Sequence, residues 1–477
     1  MDPLLTASAC ELARQIRAGE TPSTEVVERH IARIEQVNPA LNAVVRDRFE
    51  QARLEAKQAD DRVLSEESST LPPLLGVPCT IKESIALEGM PNSCGVVARA
   101  GVVASQDAPP VARLRAAGAI PLGVTNVPEL TAWVATDNRV YGRTNNAYDP
   151  ARIAGGSSGG EGAIVGAGGS PFGIGTDIGG SIRVPAFCNG VFGHKPTGGL
   201  VPGTGQYPPY EGSHCRINST GPIARRAEDL MPLLRIIAGP DGVDAECRAI
   251  ELGDPSTVDL AGLRVLVVEG DGRRPAVTAG LRRAQQRAAY ALAAHGASVE
   301  MLALPELRRS MAMAGALMLE EGRSPLPADF GDGEPVPLGR ELLRWAVRRS
   351  PHTAPPLALS VAARLGKRMP GWIRRNAERG RALRVQLEEK LGDEGVLLYP
   401  MAVRPAPRHG WGVASNFRFT GLFNGFELPS TQVPLGLGEA GLPLGVQVIG
   451  SRGRDHVTIA VAVELERVLG GWVPPAP

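Results

Sequence analysis

The sequence has few aromatic residues, no excess of charge and no long uncharged apolar run. Only 4 % of its residues are aromatic, which argues against a binder of single-stranded nucleic acid, because such proteins stack bases on aromatic rings. The 51 Lys and Arg nearly balance the 50 Asp and Glu, so no overall basic charge favours a polyanionic partner. We find neither a signal-peptide pattern nor a transmembrane run. These absences predict a cytoplasmic location.

The six cysteines show no pattern of disulfide bonding or metal binding. None lies in a C-x-x-C pair, and none combines with histidine at a zinc-ligand spacing. We therefore expect reduced thiols in packing roles at all six positions, which are Cys10, Cys79, Cys94, Cys188, Cys215 and Cys247.

The chain has the apolar content of a large folded protein, with 43 % hydrophobic residues. Apolar spacing predicts several helices and strands, and their alternation indicates the α/β class. The predicted helices lie within 5–60 and at 277–295 and 457–469. The predicted strands lie at 77–81, 263–268, 395–399 and 446–449, and residues 108–122 form a helix followed by a strand.

Glycine is concentrated in one stretch, with 18 of the 51 residues from 155 to 205. A flexible linker would have this much glycine but no use for the apolar residues between the glycines. Glycine that alternates with apolar side chains indicates close backbone approach and left-handed turns inside a core.

Two serine clusters in this stretch, at 155–162 and 176–183, admit three interpretations. A phosphate-binding loop would need a Gly-Lys-Ser/Thr sequence or a G-x-G-x-x-G after a clear strand, and neither is present. A nucleophile elbow fits G-x-S-x-G at 155–159, but residues 148–154 are turn-like and no histidine has a recognisable triad context. A serine–lysine hydrolase is the third interpretation, because Ser–Lys pairs are a variant of the serine triad.

The residues favour the serine–lysine interpretation. Such an enzyme needs a nucleophilic hydroxyl, a neutral amine as base and backbone amides that stabilise an oxyanion. Two consecutive glycines before Ser181 permit a tight turn that directs several N–H groups to one point. Lys82 ends an apolar run, where burial would lower its pKa toward neutrality.

Several motifs together resemble the amidase signature family over nearly the whole chain. The matching segments are PCTIKE at 78–83, GGSSGGEGA at 155–163, GTDIGGSIRVPA at 175–186, GHKPTGGLVP at 193–202 and LPLGVQVIG at 442–450, followed by Asp455. Glu161 and the IKES context at 81–84 are most similar to the fatty-acid-amide-hydrolase branch. The tRNA-dependent amidotransferase A subunits usually carry serine at the position of Glu161.

The resemblance implies a Ser–cisSer–Lys triad and a position for each member. Ser181 is then the nucleophile, Ser157 the bridging serine and Lys82 the base, with a cis peptide bond between Gly156 and Ser157. A proton passes from Ser181 through Ser157 to Lys82, Ser181 attacks the amide carbonyl, and water cleaves the acyl-enzyme. The implied fold is a single large α/β domain over residues 1–477, with a mixed central sheet flanked by helices and a catalytic core at about 75–205.

The same resemblance implies an oxyanion hole and three supporting residues. The hole is expected to consist of the backbone N–H groups of Ile178, Gly179, Gly180 and Ser181. Ser158 is expected to support the site through hydrogen bonds to the backbone. Asp177 and Arg183 are expected to form an ion pair that holds the nucleophile loop. No metal ion and no organic cofactor is expected.

A basic segment at 340–384 carries 12 Lys and Arg against 2 acidic residues. A run of this kind forms a solvated helical face or, with apolar residues among the arginines, a surface that contacts anionic lipid. The apolar residues are Leu365, Met369, Trp372 and Ile373. In the fatty-acid-amide branch the matching region resembles a membrane-facing cap. Weak peripheral membrane contact and a homodimer stay open as expectations, beside a small-molecule amide substrate and no nucleic acid.

The predicted function is hydrolysis of a carboxylic amide to a carboxylate and an amine or ammonia. Thr131 and Ala132 are smaller than the acyl-channel residues of the fatty-acid-amide branch, which favours aryl or short aliphatic amides. One alternative is the amidotransferase A subunit, which would need partner subunits and tRNA. The other is an inactive binding scaffold, which the presence of Lys82, Ser157 and Ser181 disfavours.

Overall fold

The computed structural model describes residues 2–476 except 211, 321–329, 335, 367 and 411. The strands in chain order are β1 (Val44–Asp47), β2 (Pro78–Lys82), β3 (Ile120–Thr125), β4 (Asp137–Asn138), β5 (Gly142–Arg143), β6 (Phe172–Asp177), β7 (Phe192–Lys195), β8 (Ser219–Ala224), β9 (Arg264–Val267), β10 (Ser298–Met301), β11 (Gly395–Pro400), β12 (Ser430–Leu437) and β13 (Pro443–Gly450).

The helices surround these strands. In chain order they are α1 (Ala9–Arg17), α2 (Ser23–Leu41), α3 (Phe49–Ser65), α4 (Pro109–Ala116), α5 (Gly159–Gly166), α6 (Arg183–Cys188), α7 (His214–Ile217), α8 (Leu230–Ile237), α9 (Ala279–Ala294), α10 (Ser310–Glu320), α11 (Leu338–Ala346), α12 (Ala354–Gly366), α13 (Pro370–Leu391), α14 (Val413–Asn416), α15 (Gly421–Gly425) and α16 (Asp455–Leu469).

One mixed sheet organises the described part of the chain. It has eleven strands in the order β1-β3-β2-β6-β8-β7-β12-β13-β11-β9-β10, and β4 pairs only with β5. Strand β2 is parallel to both β3 and β6, whereas β8 is antiparallel to β6. The central strands of the sheet are buried, whereas the edge strand β10 is exposed, and helices pack against the sheet as in an α/β protein. The predicted class and the helix-flanked mixed sheet are therefore confirmed.

The parallel pairing of β2 and β6 decides where the site lies. Lys82 ends β2 and Asp177 ends β6, and the carboxyl ends of parallel strands meet at one edge of the sheet. All residues of both strands are buried. The two predicted catalytic segments, about 100 residues apart in the sequence, are thus brought to the same edge.

The predicted strands correspond to β2, β3, β9, β11 and β13, whereas the other described strands were missed, β1 and β12 among them. The helix predicted at 277–295 is α9, which Gly296 ends with a positive φ of 94°. Strand β1 has only four residues and ends in a charged pair, so it carries little periodic signal. Strand β12 contains Pro434, which makes a central strand hard to predict.

The structure bears on two further expectations, which concern disulfide bonds and membrane-spanning helices. None of the six cysteines, all of which lie among the described residues, forms a disulfide bond, as expected. Among the helices that the structure describes, none combines the length and apolar character needed to cross a bilayer.

The basic segment is helical and covers α11, α12 and most of α13. Lys367, one of its predicted cations, lies outside the described residues. Leu365 and Met369 are exposed, as a contact surface requires, whereas Trp372 is half-buried and Ile373 is buried. Two of the four predicted apolar residues are therefore exposed, and the lipid contact itself stays a prediction.

Candidate active site

Lys82 lies at the centre of the candidate site. Its side chain is fully buried, and Nζ is 2.7 Å from Ser157 Oγ and 2.7 Å from Thr176 Oγ1. Burial lowers the pKa of Lys82 to about 7, although the nearby Cys94, Asp177 and Glu161 act in the opposite direction. A substantial fraction of the amine is therefore uncharged near neutral pH and able to accept a proton.

The loop before α5 presents Ser157 to this amine. The Gly156–Ser157 peptide bond is cis, as the family resemblance implied, and Gly155 has a positive φ of 83°. A Cβ on Gly156 would lie 2.7 Å from the Trp133 carbonyl oxygen, so the loop backbone packs directly against that neighbouring segment. Glycine is required here because a side chain would push Ser157 away from Lys82.

Ser181 follows β6 in a second loop that is bonded to the first. The amide of Ser158 donates to the Ser181 carbonyl oxygen at 3.2 Å, which holds the two serine loops side by side. Ser181 is 8 % exposed, and its hydroxyl has no hydrogen-bond partner among the residues described. A direct hydrogen bond between Ser157 and Ser181 is therefore absent from this state of the described site.

Three of the four predicted oxyanion amides are free to bind a substrate oxygen. Within the described chain, no acceptor pairs with the amides of Ile178, Gly179 or Ser181. The amide of Gly180 differs from the prediction, because it donates to Asp177 Oδ1 at 2.6 Å. Ile178 and Gly179 are half-buried and thus accessible to a substrate.

The predicted ion pair of Asp177 and Arg183 is present and fully buried. Arg183 Nε lies 2.9 Å from Asp177 Oδ2. Burial opposes ionisation of Asp177, but Arg183 and Asn424 hold its pKa well below the usual value. Arg183 also donates to Asn424 Oδ1 and Gln447 Oε1 at 2.6 and 2.7 Å. The pair therefore fastens the loop that carries Ser181 to the C-terminal half of the chain.

Ser158 and the histidines have structural contacts. Ser158 Oγ lies 3.4 Å from both the carbonyl oxygen and the amide of Thr176, as expected for a supporting residue. The buried His194 bonds to Thr431 and Asp455. Ser157 instead contacts Lys82, so the geometry favours the serine–lysine interpretation over a nucleophile elbow.

Sequence reasoning missed several polar residues around Lys82. Thr176 contacts the amine directly, although its place in the GTDIGGS motif gave no sign of this role. Thr80 and Thr125 both bond to the buried Glu161 carboxyl. One signal could have pointed to Thr80, because residues i and i+2 of a strand share a face, as Thr80 and Lys82 do.

The chain is similar to known proteins over nearly its whole length. The Amidase family model matches residues 25–459. Fatty-acid amide hydrolase 2-B of Danio rerio is 45 % identical over 99 % of this chain and 91 % of that protein. The A subunit of glutamyl-tRNA(Gln) amidotransferase from Deinococcus radiodurans is 32 % identical over 97 % of both chains. The solved native peptide amidase from Stenotrophomonas maltophilia has a TM-score of 0.82 and 26 % identity, with 99 % of both chains covered.

Proposed function

This chain belongs to the amidase family and hydrolyses carboxylic amides, and we propose that Ser181 is its nucleophile, Lys82 its general base and Ser157 the relay between them. The observation that carries the proposal is the 2.7 Å contact between Lys82 Nζ and Ser157 Oγ in a fully buried setting. Among the described residues, Lys82 has no carboxylate in direct contact, so its amine is available for proton transfer.

Acylation begins with the uncharged amine of Lys82. The amine takes the proton of Ser157, and Ser157 takes the proton of Ser181 as Ser181 Oγ bonds to the amide carbon. The carbonyl oxygen becomes an oxyanion that accepts hydrogen bonds from the free amides of Ile178, Gly179 and Ser181. Each well-directed donor of this kind contributes roughly 2.7–4 kcal/mol to transition-state stability.

The second half of the reaction returns the proton. Lys82 protonates Ser157, and Ser157 protonates the amide nitrogen as the C–N bond breaks and the amine or ammonia leaves. Early protonation matters because an amine anion is a poor leaving group. Water then attacks the acyl-Ser181 ester with the same base assistance, and the carboxylate product and the free hydroxyl of Ser181 result.

The acyl group of the substrate is proposed to be apolar. Trp133 and its neighbours pack against the Ser157 loop and are half-buried. Helices α10 and α15 lie close to the loop that carries Gly179. A Cβ on Gly421 of α15 would be 3.7 Å from the Ala314 Cβ of α10 and 3.8 Å from the Gly179 Cα. Trp133 and Ala314 thus place apolar side chains near the two serine loops, and apolar side chains typically line a site that binds an apolar acyl chain.

The isolated chain is expected to hydrolyse apolar amides without a partner. In a panel of primary amides, kcat/KM should rise about fourfold for each additional buried methylene until the acyl site is filled. If kcat/KM stops rising at a short acyl chain, the result would agree with the aryl or short aliphatic amides that Thr131 and Ala132 favour. Ammonia or amine release is the measurement.

Glutamine is the matched polar substrate for this panel. An amidotransferase A subunit would act on glutamine and depend on partner subunits and tRNA, whereas an amidase acts alone. The greater identity to the fatty-acid amide hydrolase than to the amidotransferase protein favours the amidase. Glutamine hydrolysis in preference to every apolar amide would contradict the proposed substrate class.

The exposed surface of α11 and α12 is proposed to contact membrane lipid weakly. Leu343 is 73 % exposed, Val347 63 % and Leu365 52 %. Arg348 and Arg349 are exposed beside them. Apolar side chains interleaved with arginine are typical of helices that lie on an anionic bilayer surface. No surface feature described above supports the expected homodimer, which stays a prediction.

Co-sedimentation with vesicles tests this contact. The chain should pellet with vesicles that contain phosphatidylserine and remain in the supernatant with phosphatidylcholine alone, and salt should weaken the binding. Leu343→Glu should reduce binding about tenfold, because an apolar anchor is lost and an anion is added. The control is Leu64→Glu on α3, where an 87 % exposed leucine lies outside the basic segment. Equal loss in both variants would contradict a contact through α11.

A further inference from the structure

A buried carboxyl group lies next to the proposed base and takes no part in the proton relay itself. Glu161, on α5, is fully buried. Its Oε2 accepts a hydrogen bond from Thr80 at 2.6 Å, and its Oε1 accepts one from Thr125 at 2.8 Å. Two hydroxyl donors directed at the two oxygens suit an ionised carboxylate, which is purely an acceptor.

The sheet provides a space for this carboxyl group. Gly173 on β6 pairs with Thr80 on β2. A Cβ on Gly173 would lie only 1.8 Å from Glu161 Oε2, so the carboxyl occupies the space that a side chain would fill. The backbone of two adjacent strands thus holds the Glu161 carboxyl in one position against the sheet.

The same strands connect Glu161 to Lys82. Thr80 is two residues before Lys82 on β2, so both side chains are on one face. Thr125 is the register partner of Lys82 on β3. Both residues that hold the Glu161 carboxyl are therefore immediate strand neighbours of the base.

Lys82 is the cation that acts on Glu161. Burial raises the pKa of Glu161, while its hydrogen bonds from Thr80 and Thr125 and the charge of Lys82 oppose that rise and favour the carboxylate. Among the described residues, no cation forms an ion pair with the Glu161 carboxyl, and Lys82 is the one cation that affects its pKa. A buried carboxylate without a contacting cation depends on the nearest positive charge.

Three other titratable groups lie near this pair, and two of them act on Lys82 together with Glu161. Cys94 and Asp177 both raise the pKa of Lys82, and Glu161 raises the pKa of the Cys79 thiol. Asp177 is neutralised by its ion pair with Arg183. Burial raises the pKa of the Cys79 thiol, so it is uncharged at neutral pH.

We propose that Glu161 is a positioning residue for the general base, and that its carboxylate is the counter-ion of the ammonium that forms when Lys82 accepts the proton. The inference rests on the proposed roles of Lys82 and Ser181. No bond to Glu161 forms or breaks, and the proton ends on Lys82 Nζ. The carboxylate stabilises the charged state of the base in a buried site, as the aspartate does for histidine in a serine triad.

The test is the pH dependence of kcat/KM in Glu161→Gln. The base must be uncharged to act, so activity rises with pH through the apparent pKa of the Glu161–Lys82 pair. Removal of the anion makes the ammonium less stable and the amine a weaker base. The acidic limb of the profile should therefore move to lower pH by about one unit or more, and the plateau should fall about tenfold. A limb that coincides with that of the unmodified enzyme would overturn the inference.

Glu129→Gln is the matched control. Glu129 is equally buried, but it bonds to His352 and Thr353 and is not among the groups that act on Lys82. Its acidic limb should stay in place. An equal shift in both variants would also overturn the inference, because loss of any buried carboxyl would then have the same effect.

A second variant keeps the test decisive if Glu161→Gln does not fold. Thr125→Val removes one of the two hydroxyls that stabilise the carboxylate, so Glu161 stays neutral to higher pH and supports the Lys82 ammonium less. The acidic limb should then move in the same direction as in Glu161→Gln, to lower pH, but by a smaller amount. A limb that is unchanged or moves to higher pH would contradict the inference.

Failure of the inference is distinguishable from failure of the proposed function. If Lys82→Ala or Ser181→Ala retains full activity, the proposed function fails, whatever the profile of Glu161→Gln. If both alanine variants are inactive but the acidic limb of Glu161→Gln does not move, only the role of Glu161 fails.

Discussion

Ser181→Ala is expected to reduce kcat for amide hydrolysis by roughly 10⁴-fold or more, because no acyl-enzyme can form without the nucleophilic hydroxyl. The variant should fold normally. The Ser181 hydroxyl has no hydrogen-bond partner in the described structure, so its removal leaves no buried donor or acceptor unpaired. Hydrolysis rates and a thermal unfolding midpoint measure both parts of the expectation.

A fluorophosphonate probe identifies the nucleophile independently of any substrate. The unmodified enzyme should be labelled on the peptide that contains Ser181, and the alanine variant should not be labelled. Ser158→Ala is the matched control, since Ser158 is fully buried and its hydroxyl, within the described part of the chain, bonds to the Thr176 backbone alone. Retained turnover or labelling in Ser181→Ala would refute the assignment of the nucleophile.

Lys82→Ala should be the second most damaging substitution, with a loss of about 10²- to 10⁴-fold at neutral pH. The pKa of Lys82 is lowered by burial to about 7, so the unmodified enzyme gains its uncharged base as pH rises through that region. The alanine variant lacks this rise. Its deficit should shrink at high pH, where hydroxide partly replaces the base.

The pH profiles of kcat/KM from 5 to about 10 measure this effect. Lys195→Ala is the matched control, because Lys195 is another fully buried lysine whose pKa burial lowers to about 7. Its amine lies 2.6 Å from the Pro196 carbonyl oxygen and, among the described residues, contacts neither Ser157 nor Ser181. Its profile should keep the shape of the unmodified enzyme. A Lys82→Ala profile that rises as before through pH 7 would exclude Lys82 as the base.

Local sequence signals predicted the elements that they dominate. Apolar runs predicted β2 and β9, and helical spacing with a terminal glycine predicted α9. Strands β1 and β12 were missed because one is short and partly charged and the other contains proline. In both cases pairing with neighbours in the sheet outweighs a weak local preference.

Sequence analysis identified those residues of the proposed site whose chemical type is unusual for the surrounding sequence. A lysine at the end of an apolar run and serines among glycines are such cases. The occupied amide of Gly180 was not predicted, because only the fold brings Asp177 Oδ1 within 2.6 Å of it. Glu161 was recognised as a motif residue, but its threonine partners lie 81 and 36 residues away in the sequence.

The sequence alone determined the α/β class, the family resemblance and the residue types that could perform amide hydrolysis, because these depend on periodicity and on motifs of contiguous residues. Only the tertiary structure decided which amides of the Ser181 loop lack a partner among the described residues, and which carboxyl group is held by the strand neighbours of Lys82. Those properties arise from strand register and from side-chain packing between distant segments. The desolvation of the Lys82 amine also depends on tertiary structure, because residues adjacent in sequence cannot bury the amine by themselves.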